Sequence, residues 1–460
     1  MNQVHRYVRR VTQALQSTRP AAFVLLFAFF GAALPASAQQ RISFEDAIRI
    51  ALDQNIDLKK SENSLVLSEN DVKSAKANFL PNLNANAGGG RNWGLSFDQT
   101  AGRLVTESSD NASGSISSSV NLFNGFSDVA ALSQARYNYM ADEQNLQRAE
   151  QTVYFRVVEA YLQILLAQEQ VGIRQEDLQA QQQQLTQIEE FTRLGARPIS
   201  DLYQQQATAA QSELSLVDAE RALDIAKVRL IQVLELDPFQ EYEFDAPKAD
   251  ELDLDVTSYN LEEILRTALE NRADLQALSA SLDAAQQGIR IAKSNRYPTL
   301  NLSGNYGTSY SSQRQDDFSG QLKNNRSQSV RLSLNVPIFN RLNTRTTIQR
   351  SEINFVNQQL DLQNYEQSVL LEVRQAYSDY TSLAKQLEVS QIQLAAAQQA
   401  QEVEQERYNV GASTLVELTN ARANYVRAAS NRAQVIFQFV FQSRLLDYYI
   451  GILDPNASVF

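Results

Sequence analysis

The chain contains no cysteine and only one histidine, His5. Without cysteine it forms no disulfides and offers neither thiol chemistry nor cysteine-ligated zinc. Because His5 lies in an N-terminal segment that we expect to be removed, imidazole acid–base catalysis, Ser-His-Asp triads and histidine zinc sites are excluded as well. Carboxylate-only catalysis is compatible with the composition, but no acid pair and no glycine-rich phosphate loop stands out. The sequence therefore predicts a protein that is not an enzyme and binds no metal or cofactor.

Long apolar runs are also scarce, and the prominent one lies near the N-terminus. Several arginines precede "AAFVLLFAFFGAAL", which is followed by the small-residue pattern "PASAQQ". This order predicts a secretory signal peptide over residues 1–38, with cleavage after Ala38. A membrane anchor is the alternative, but a span needs about 20 apolar residues, and this run is shorter and ends at Pro35. No later segment has the length and apolarity of a transmembrane helix.

Positive charge is in the minority. The chain has 41 lysines and arginines against 53 aspartates and glutamates, a net charge of −12. An acidic chain is repelled by phosphate backbones, so the sequence predicts no nucleic-acid partner.

The remaining chain is a tandem duplication. "SFEDAIRIALDQNIDL" (43–58) matches "NLEEILRTALENRADL" (260–275), and "VNLFNG" matches "VPIFNR" further along. We predict a first repeat at 39–240, a linker at 241–259 and a second repeat at 260–460. The linker is acidic and contains proline, which is typical of an irregular connection.

Each repeat is expected to begin with a helix, continue with two strands and end with a very long helix that turns back on itself. Acidic residues that follow Ser43 and Asn260 suit helix N-termini. Apolar positions spaced 4-3-4-3 along the long helix indicate a coiled-coil seam. In the second repeat the seam comprises Val369, Val373, Ala376, Tyr380, Leu383, Leu387, Ser390, Leu394 and Ala397. In the first it comprises Val153, Val157, Ala160, Ile164, Ala167, Val171, Arg174, Leu178 and Gln181.

The strands show an apolar–polar alternation. In "TLNLSGNYGTSY" (299–310) and "SVRLSLNVPIF" (329–339), apolar and polar side chains fall on opposite faces. A soluble sheet and a membrane barrel both show this pattern, but strands of about 9–11 residues joined by long polar loops favour the barrel. The segments 88–114 and 308–328 are predicted to be those loops.

Four strands per chain are too few for a closed membrane barrel. An open edge in lipid leaves backbone groups unpaired, at a cost of several kcal/mol each, and the smallest membrane barrels have about eight strands. Several copies of the chain must therefore share one barrel, and counting alone does not choose between two and three copies.

These features together resemble the TolC-like outer membrane efflux proteins. The resemblance rests on the repeat, on the joints "FLPNLN" and "YPTLN", and on "RYNVGASTLVELTNARA" (407–423), whose counterpart is "FTRLGARPISDLYQQQA" (191–207). It implies a homotrimer with a shared barrel of about twelve strands and two coiled-coil helical hairpins per chain that cross the periplasm. It also implies a passive outer membrane duct for small molecules or polypeptides, joined to a periplasmic adaptor protein and an inner-membrane pump of the RND or ABC type.

The resemblance also assigns residues. The repeated motif would form the two hairpin tips, where the adaptor docks on Gly195, Ala196, Arg197, Pro198, Gly411, Ala412, Ser413 and Thr414. The channel constriction would lie just inside, at Glu417, Asp201, Asn420 and Tyr408. From the residues themselves, the glycines end helices, Pro198 starts one at its first position, and Thr414 with Glu417 forms a capping box. For Asp201 an ordinary solvated acid is the plainer interpretation, and for Glu417 capping alone.

Two positions depart from the family pattern. Asn420 replaces an acidic residue that forms a second ring in better-known members, and Ser413 replaces an arginine that helps to close the entrance. The resemblance therefore predicts a less negative and less tightly closed entrance. A secreted coiled-coil stalk or adhesin is the structural alternative, which accounts for the helices but not for the paired strands.

Overall fold

The computed structural model describes residues 40–98, 102–245, 254, 256–314 and 316–453, and the predicted signal peptide lies outside them. The first half consists of β1 (Gln40–Ile42), α1 (Phe44–Gln54), α2 (Ile56–Ala77), β2 (Asn84–Asp98), β3 (Arg103–Asn124), α3 (Ser127–Arg193), α4 (Ile199–Val233) and β4 (Tyr242–Phe244). The second half consists of α5 (Leu261–Asn271), α6 (Ala273–Ser294), β5 (Thr299–Ser311), α7 (Phe318–Asn324), β6 (Ser327–Asn335), α8 (Asn343–Asn409) and α9 (Leu415–Ile450). Apart from α7 and the pair β1–β4, the two halves have the same order of elements.

The helix starts agree with the sequence, but the first helix of each half is interrupted. Ser43 Oγ accepts a hydrogen bond from the Asp46 N–H at 3.1 Å, and Asn260 Oδ1 accepts one from the Glu262 N–H at 3.0 Å. A single helix ending near Pro81 or Pro298 was expected in each half, whereas the backbone becomes extended at Asn55 and at Arg272. At the first break, Asn55 ends α1 and also caps α2 through the Leu58 N–H.

The long helices α3 and α8 have 67 residues each, which corresponds to about 100 Å. Each is accompanied by two shorter helices that follow one another along it. The N-terminus of α2 meets the end of α4, where the Ile56 N–H donates to Glu235 Oε1 at 2.9 Å. The start of α6 likewise meets Gly451 at the end of α9, where a Cβ would lie 3.1 Å from Arg272 backbone atoms.

The seam positions predicted from the spacing are all buried or half-buried. Val153, Val157, Val369 and Val373 are almost fully buried, and they share one core with α1, α5 and the C-terminal half of α9. Further along the first seam Arg174 and Leu178 are half-buried, and the polar Gln181 is buried. No helix in the described part of the chain combines the length and the apolar character needed to cross a membrane.

The core surrounds one buried arginine. Arg272 is 1% exposed, and its guanidinium bonds Asp274 Oδ2 at 2.7 Å and Glu372 Oε2 at 2.8 Å. Asp274 also lies 3.2 Å from Arg148 and accepts a hydrogen bond from the Tyr365 hydroxyl at 2.9 Å. Arg148 belongs to α3, and Glu372 and Tyr365 belong to α8. These paired charges therefore connect the helix break at Arg272 to both long helices.

Four antiparallel strands form one sheet in the order β2-β3-β5-β6. Residues that oppose each other across the strands share a face, so Ile116, Tyr306, Leu302 and Leu332 lie on one side. Several of these side chains are exposed to solvent in the single chain, Leu332 by 62%. The opposite face is polar, with Asn301 donating to Asn121 Oδ1 at 3.0 Å.

The structure corrects three details of the predicted sheet. The expected loop at 88–114 is largely a β-hairpin, because the glycine- and serine-rich segments pair as β2 and β3. The predicted strand 329–339 ends at Asn335, two residues before Pro337, which lacks the N–H that a ladder needs. Leu122 was expected on the same face as Ile116 and Val120, but a bulge between Asn121 and Phe123 breaks that alternation and puts Phe123 opposite Leu300.

Candidate functional site

The two hairpin tips end their long helices in the same way. Gly195 and Gly411 adopt left-handed φ values of 73° and 76°, which glycine tolerates without strain. At the first tip the Ala196 N–H donates to the Phe191 carbonyl at 2.8 Å, and at the second the Ala412 N–H donates to the Arg407 carbonyl at 2.8 Å. Both tips are therefore Schellman turns, as the glycines predicted.

The second tip starts its return helix with the predicted capping box. Thr414 Oγ1 accepts from the Glu417 N–H at 3.2 Å, while Glu417 Oε2 accepts from the Thr414 N–H at 2.8 Å. Buried Ser413 lies between two carboxylates, with its hydroxyl 3.0 Å from Glu417 Oε2 and also in contact with Glu404. Hydrogen bonds from Thr414 and Ser413 lower the pKa of Glu417, so this exposed carboxylate stays ionised below the usual glutamate range.

The first tip starts differently from the prediction. Pro198 was expected at the first helical position, but it is the N-cap, with φ −68° and ψ 149°, and α4 begins at Ile199. Pro198 makes no side-chain cap, so this helix start lacks the reciprocal bonds of the second tip.

The two tips pack on each other through a small apolar cluster. Tyr408 is only 2% exposed and lies with Ile188, Leu415 and Leu418, and Leu202 packs against them. Burial raises the pKa of the Tyr408 hydroxyl. Tyr408, predicted at the constriction, thus lies between the hairpins of one chain.

Arg197 connects the tips in a way that sequence reasoning missed. Its guanidinium carbon lies 4.7 Å from the centre of the Tyr408 ring, a cation–π distance. The same guanidinium lies 4.0 Å from Asp201, and both side chains are about one quarter exposed. The first tip thus supplies a cation next to Tyr408, although Ser413 replaces the arginine expected at the second tip. The i,i+4 spacing of Arg197 and Asp201 signals their pairing, but nothing local signals the contact with Tyr408.

Asn420 lies on an exposed polar stripe of α9. Further from the tip than Glu417, exposed residues follow one another at helical spacing along this stripe. They are Asn420, Asn424, Arg427, Asn431, Gln434 and Gln438. The opposite side of the same helix supplies buried core residues such as Phe437 and Val440. The stripe is polar, and Arg427 is the one charged residue among these six.

A second link between the hairpins lies further from the tips and was also missed. Arg422 on α9 donates to Asp177 Oδ1 on α3 at 2.9 Å, and Ser212 on α4 donates to Asp177 Oδ2 at 2.8 Å. Both ionic side chains are less than one fifth exposed. This link ties three helices together behind the tips.

Within the described residues no group of three or more histidine, cysteine, aspartate or glutamate side chains is placed to hold a metal ion. The features that the tips do offer are exposed turns, a carboxylate fixed at a helix start and an apolar contact between two hairpins.

Comparison with known proteins decides the class. The outer membrane efflux protein family matches residues 47–235 and 264–445. The chain belongs to this family. Among its relatives are the outer membrane protein TolC of Vibrio cholerae, 25% identical over 84% of this chain and 87% of the relative, and the pyoverdine export outer membrane protein OpmQ of Pseudomonas aeruginosa, 26% identical over 78% and 75%. The solved outer membrane protein VceC of Vibrio cholerae has the same fold, with a TM-score of 0.76 at 17% identity over 89% of this chain and 96% of that one.

As an outer membrane efflux protein, the chain lies in the outer membrane, and its helical hairpins form a periplasmic tunnel. It serves as the outer membrane channel of an efflux or secretion system, so the predicted resemblance is confirmed and the secreted stalk is set aside. Its family and relatives are channel proteins.

Proposed function

We propose that three copies of the chain form one passive duct across the outer membrane and periplasm. The observation that carries this proposal is the four-stranded sheet with an apolar face and two free edges, β2 and β6. Backbone groups at such edges need partners in lipid, and the next copy of the chain supplies them. Three copies give a barrel of about twelve strands, which lies within the range of outer membrane barrels.

The hairpin tips form the periplasmic entrance. Gly195, Ala196, Gly411 and Ala412 are exposed at the turns, where the hairpin of a periplasmic adaptor docks. Ser413 is buried among carboxylates, so it shapes the second turn from inside, whereas Thr414 and Pro198 flank the docking surface. An inner-membrane pump of the RND or ABC type supplies the energy.

Closure of the entrance depends on contacts between the tips. Arg197 and Asp201 on the first hairpin hold the Tyr408 ring of the second, and the apolar cluster beneath excludes water. Three copies of Glu417 form a carboxylate ring that favours cations. Asn420 lies one turn further along the exposed stripe of α9, which lines the tunnel with amides and so gives small molecules or polypeptides a hydrated path.

Native mass spectrometry of the detergent-solubilised protein tests the assembly. A trimer that gives stable single-channel conductance in planar bilayers supports the proposal. A monomer that partitions into the aqueous periplasm would overturn it. Copurification from native membranes, followed by identification of the bound proteins, tests the adaptor and the pump.

A further inference from the structure

Beyond the four-stranded sheet, β2 and β3 continue as a two-stranded ribbon. Residues 92–98 of β2 pair with 103–109 of β3, whereas β5 pairs with β3 only from Asn111 onwards. This ribbon extends from the end of the sheet opposite the helices, which is the extracellular end in an outer membrane protein with periplasmic hairpins.

One face of the ribbon is strongly apolar and uncovered. Trp93, Leu95, Phe97 and Leu104 are 77%, 68%, 56% and 63% exposed. Trp93, Leu95 and Phe97 alternate along β2, and Leu104 lies opposite Phe97, so all four share one face. Large side chains grouped in this way outside the membrane indicate a surface that another protein element covers.

Lipid does not explain this face. Between the ribbon and the apolar band of the sheet lies an ion pair on the same face, with Arg91 Nη2 2.6 Å from Asp110 Oδ2. Charged side chains on the lipid-facing side of a barrel are tolerated near the membrane–water interface and not in its middle. The ion pair therefore marks the edge of the apolar band, and the ribbon lies beyond it.

Helix α7 is positioned to cover such a face. It is fixed to the end of β5, where Gln321 Nε2 donates to the Ser311 carbonyl at 3.0 Å and Thr308 Oγ1 donates to the Leu322 carbonyl at 2.8 Å. The Phe318 ring packs edge-on against Tyr310 with centroids 5.0 Å apart, yet Phe318 is still 53% exposed. Tyr310 and Thr308 oppose Ala112 and Gly114, so α7 lies on the same face as the apolar side chains of the ribbon.

The lengths of the edge strands bring these parts of two copies together. In a closed ring β2 of one copy pairs with β6 of the next, and β2 has 15 residues whereas β6 has nine. When the two strands start level at the helix side, with Asn84 opposite Asn335, β6 reaches only to Asn92 of its neighbour. Helix α7 directly precedes β6 in the chain. It therefore lies beyond the extracellular end of β6, beside the neighbour's Trp93, Leu95 and Phe97.

We propose that α7 of one copy packs through Phe318 on the apolar face of the ribbon of the next copy. This extracellular contact rests on the proposed trimer and adds to its strand-to-strand interface. It closes the gap that the short β6 leaves at the rim of the barrel.

Trp93 is the only tryptophan of the chain, so its fluorescence reports on the ribbon alone. In the purified protein reconstituted in lipid, we expect a blue-shifted emission that acrylamide quenches weakly. Phe318→Ala should shift the emission to longer wavelength and increase the acrylamide quenching constant. Ile338→Ala, which removes an apolar side chain that is 94% exposed beyond the other end of β6, should change neither. Equal spectra for both variants, or strong quenching of the wild type by brominated lipid tails, would overturn the proposal.

The absence of cysteine allows a second test that separates this contact from the trimer itself. A Leu95→Cys, Phe318→Cys double variant should be joined between copies by a short thiol cross-linker, whereas Asn92→Cys with Phe318→Cys, on the opposite face, should not. An Ala85→Cys, Leu334→Cys pair reports on the strand edges. If the edge pair links and the Leu95/Phe318 pair does not, the trimer stands and the contact is wrong. If neither pair links, the trimer is wrong and the contact falls with it.

Discussion

At the scale of single residues, glycine-to-alanine substitutions in a tip turn and inside a long helix should have opposite effects on stability. Gly411 has φ 76° and open space around it. Gly411→Ala forces an alanine into the left-handed conformation and should lower the free energy of unfolding by about 1–2 kcal/mol. Gly172 lies inside α3, where an added Cβ would also meet no neighbour. Gly172→Ala should raise the free energy of unfolding by about 0.5–1 kcal/mol. Thermal unfolding in detergent, followed by circular dichroism at 222 nm, checks both signs. A lower unfolding temperature for both variants would show that the turn geometry is not the cause.

Glu417 combines a helix cap with a negative charge, and Glu417→Gln separates the two. The glutamine oxygen still accepts from the Thr414 N–H, so the helix start is kept while the charge is lost. We expect reversal-potential measurements on single channels to show weaker cation selectivity and weaker block by multivalent cations. Asn420→Asp, one turn away on the same exposed face, should change selectivity in the opposite direction. Unchanged selectivity in Glu417→Gln would exclude the carboxylate ring.

The pH dependence of that selectivity follows from the same contacts. The pKa of Glu417 is below its ordinary value of 4.5, so the carboxylate is fully charged at neutral pH and is neutralised only as the pH falls through the lowered value. The charge-assisted cap is likewise present above the ordinary pKa and is lost on that acidic side. Cation selectivity should therefore be flat from neutral pH down to the ordinary glutamate pKa and fall below it.

Tyr408 holds the tips through its ring. Tyr408→Ala removes both the apolar contact and the ring face against which Arg197 lies. It should raise the conductance of the duct when the pump is absent. Tyr408→Phe keeps the ring face, so its conductance should stay close to that of the wild type. Arg197→Ala should lie between them, since a cation–π contact contributes about 0.5–1 kcal/mol at an exposed site. Equal conductances in planar bilayers for all variants would remove Tyr408 from the closure.

At the scale of elements, Arg272 fixes the break between α5 and α6 to the two long helices. Arg272→Ala leaves Glu372 and part of Asp274 unpaired, which costs about 3–5 kcal/mol in free energy of unfolding. Arg266→Ala, at an exposed position of α5, should change the free energy of unfolding by less than about 0.5 kcal/mol. Guanidinium unfolding curves distinguish the two, and similar midpoints would show that the buried ion pairs contribute little.

The same cluster has an acid-side dependence. Burial raises the pKa of Asp274, but the hydrogen bond from Arg272 and the charge of Arg148 outweigh it, so the folded pKa lies below 3.8. A lowered carboxylate pKa stabilises the fold above the unfolded pKa, and this contribution disappears as the pH falls through the folded value.

Local patterns predicted those elements whose cause is local. The Ser43 and Asn260 caps, the Schellman glycines and the capping box at Thr414 depend on side chains within one turn of the helix end, so the sequence shows them directly. The strand β2 was taken as part of a loop because Gly88, Gly89 and Gly90 give it low strand propensity. Pairing with β3 overrides that propensity, and the pairing is a tertiary effect. Likewise, the contact of Arg197 with Tyr408 depends on how two hairpins are aligned, which no local spacing records.

At the scale of the whole molecule, the two faces of the sheet should respond differently to charge. Leu332→Arg puts a cation on the apolar face and should destabilise the membrane-inserted form by about 2–4 kcal/mol at mid-membrane depth. Ser333→Arg, the next residue on the polar face, should insert normally and change only the conductance. Urea titrations of the protein in lipid vesicles measure the difference. Equal destabilisation by both would mean that the apolar face does not contact lipid.

The duplicated architecture was predictable at this scale because the caps recur after 217 residues and the seam after 216. The number of copies was not predictable from the residues. A single chain shows that its sheet has open edges, but the number of copies that closes them depends on the curvature of the assembled barrel.

The long helices α3 and α8 have the same number of residues, and this equality sets a limit on how the protein can evolve. Both tips must arrive at one level to meet a partner, and each added residue moves a tip by about 1.5 Å. A bacterium with a wider cell envelope would therefore need matching insertions in both halves. Only whole heptads would preserve the packing phase, so such a duct grows in coordinated steps of about 10 Å.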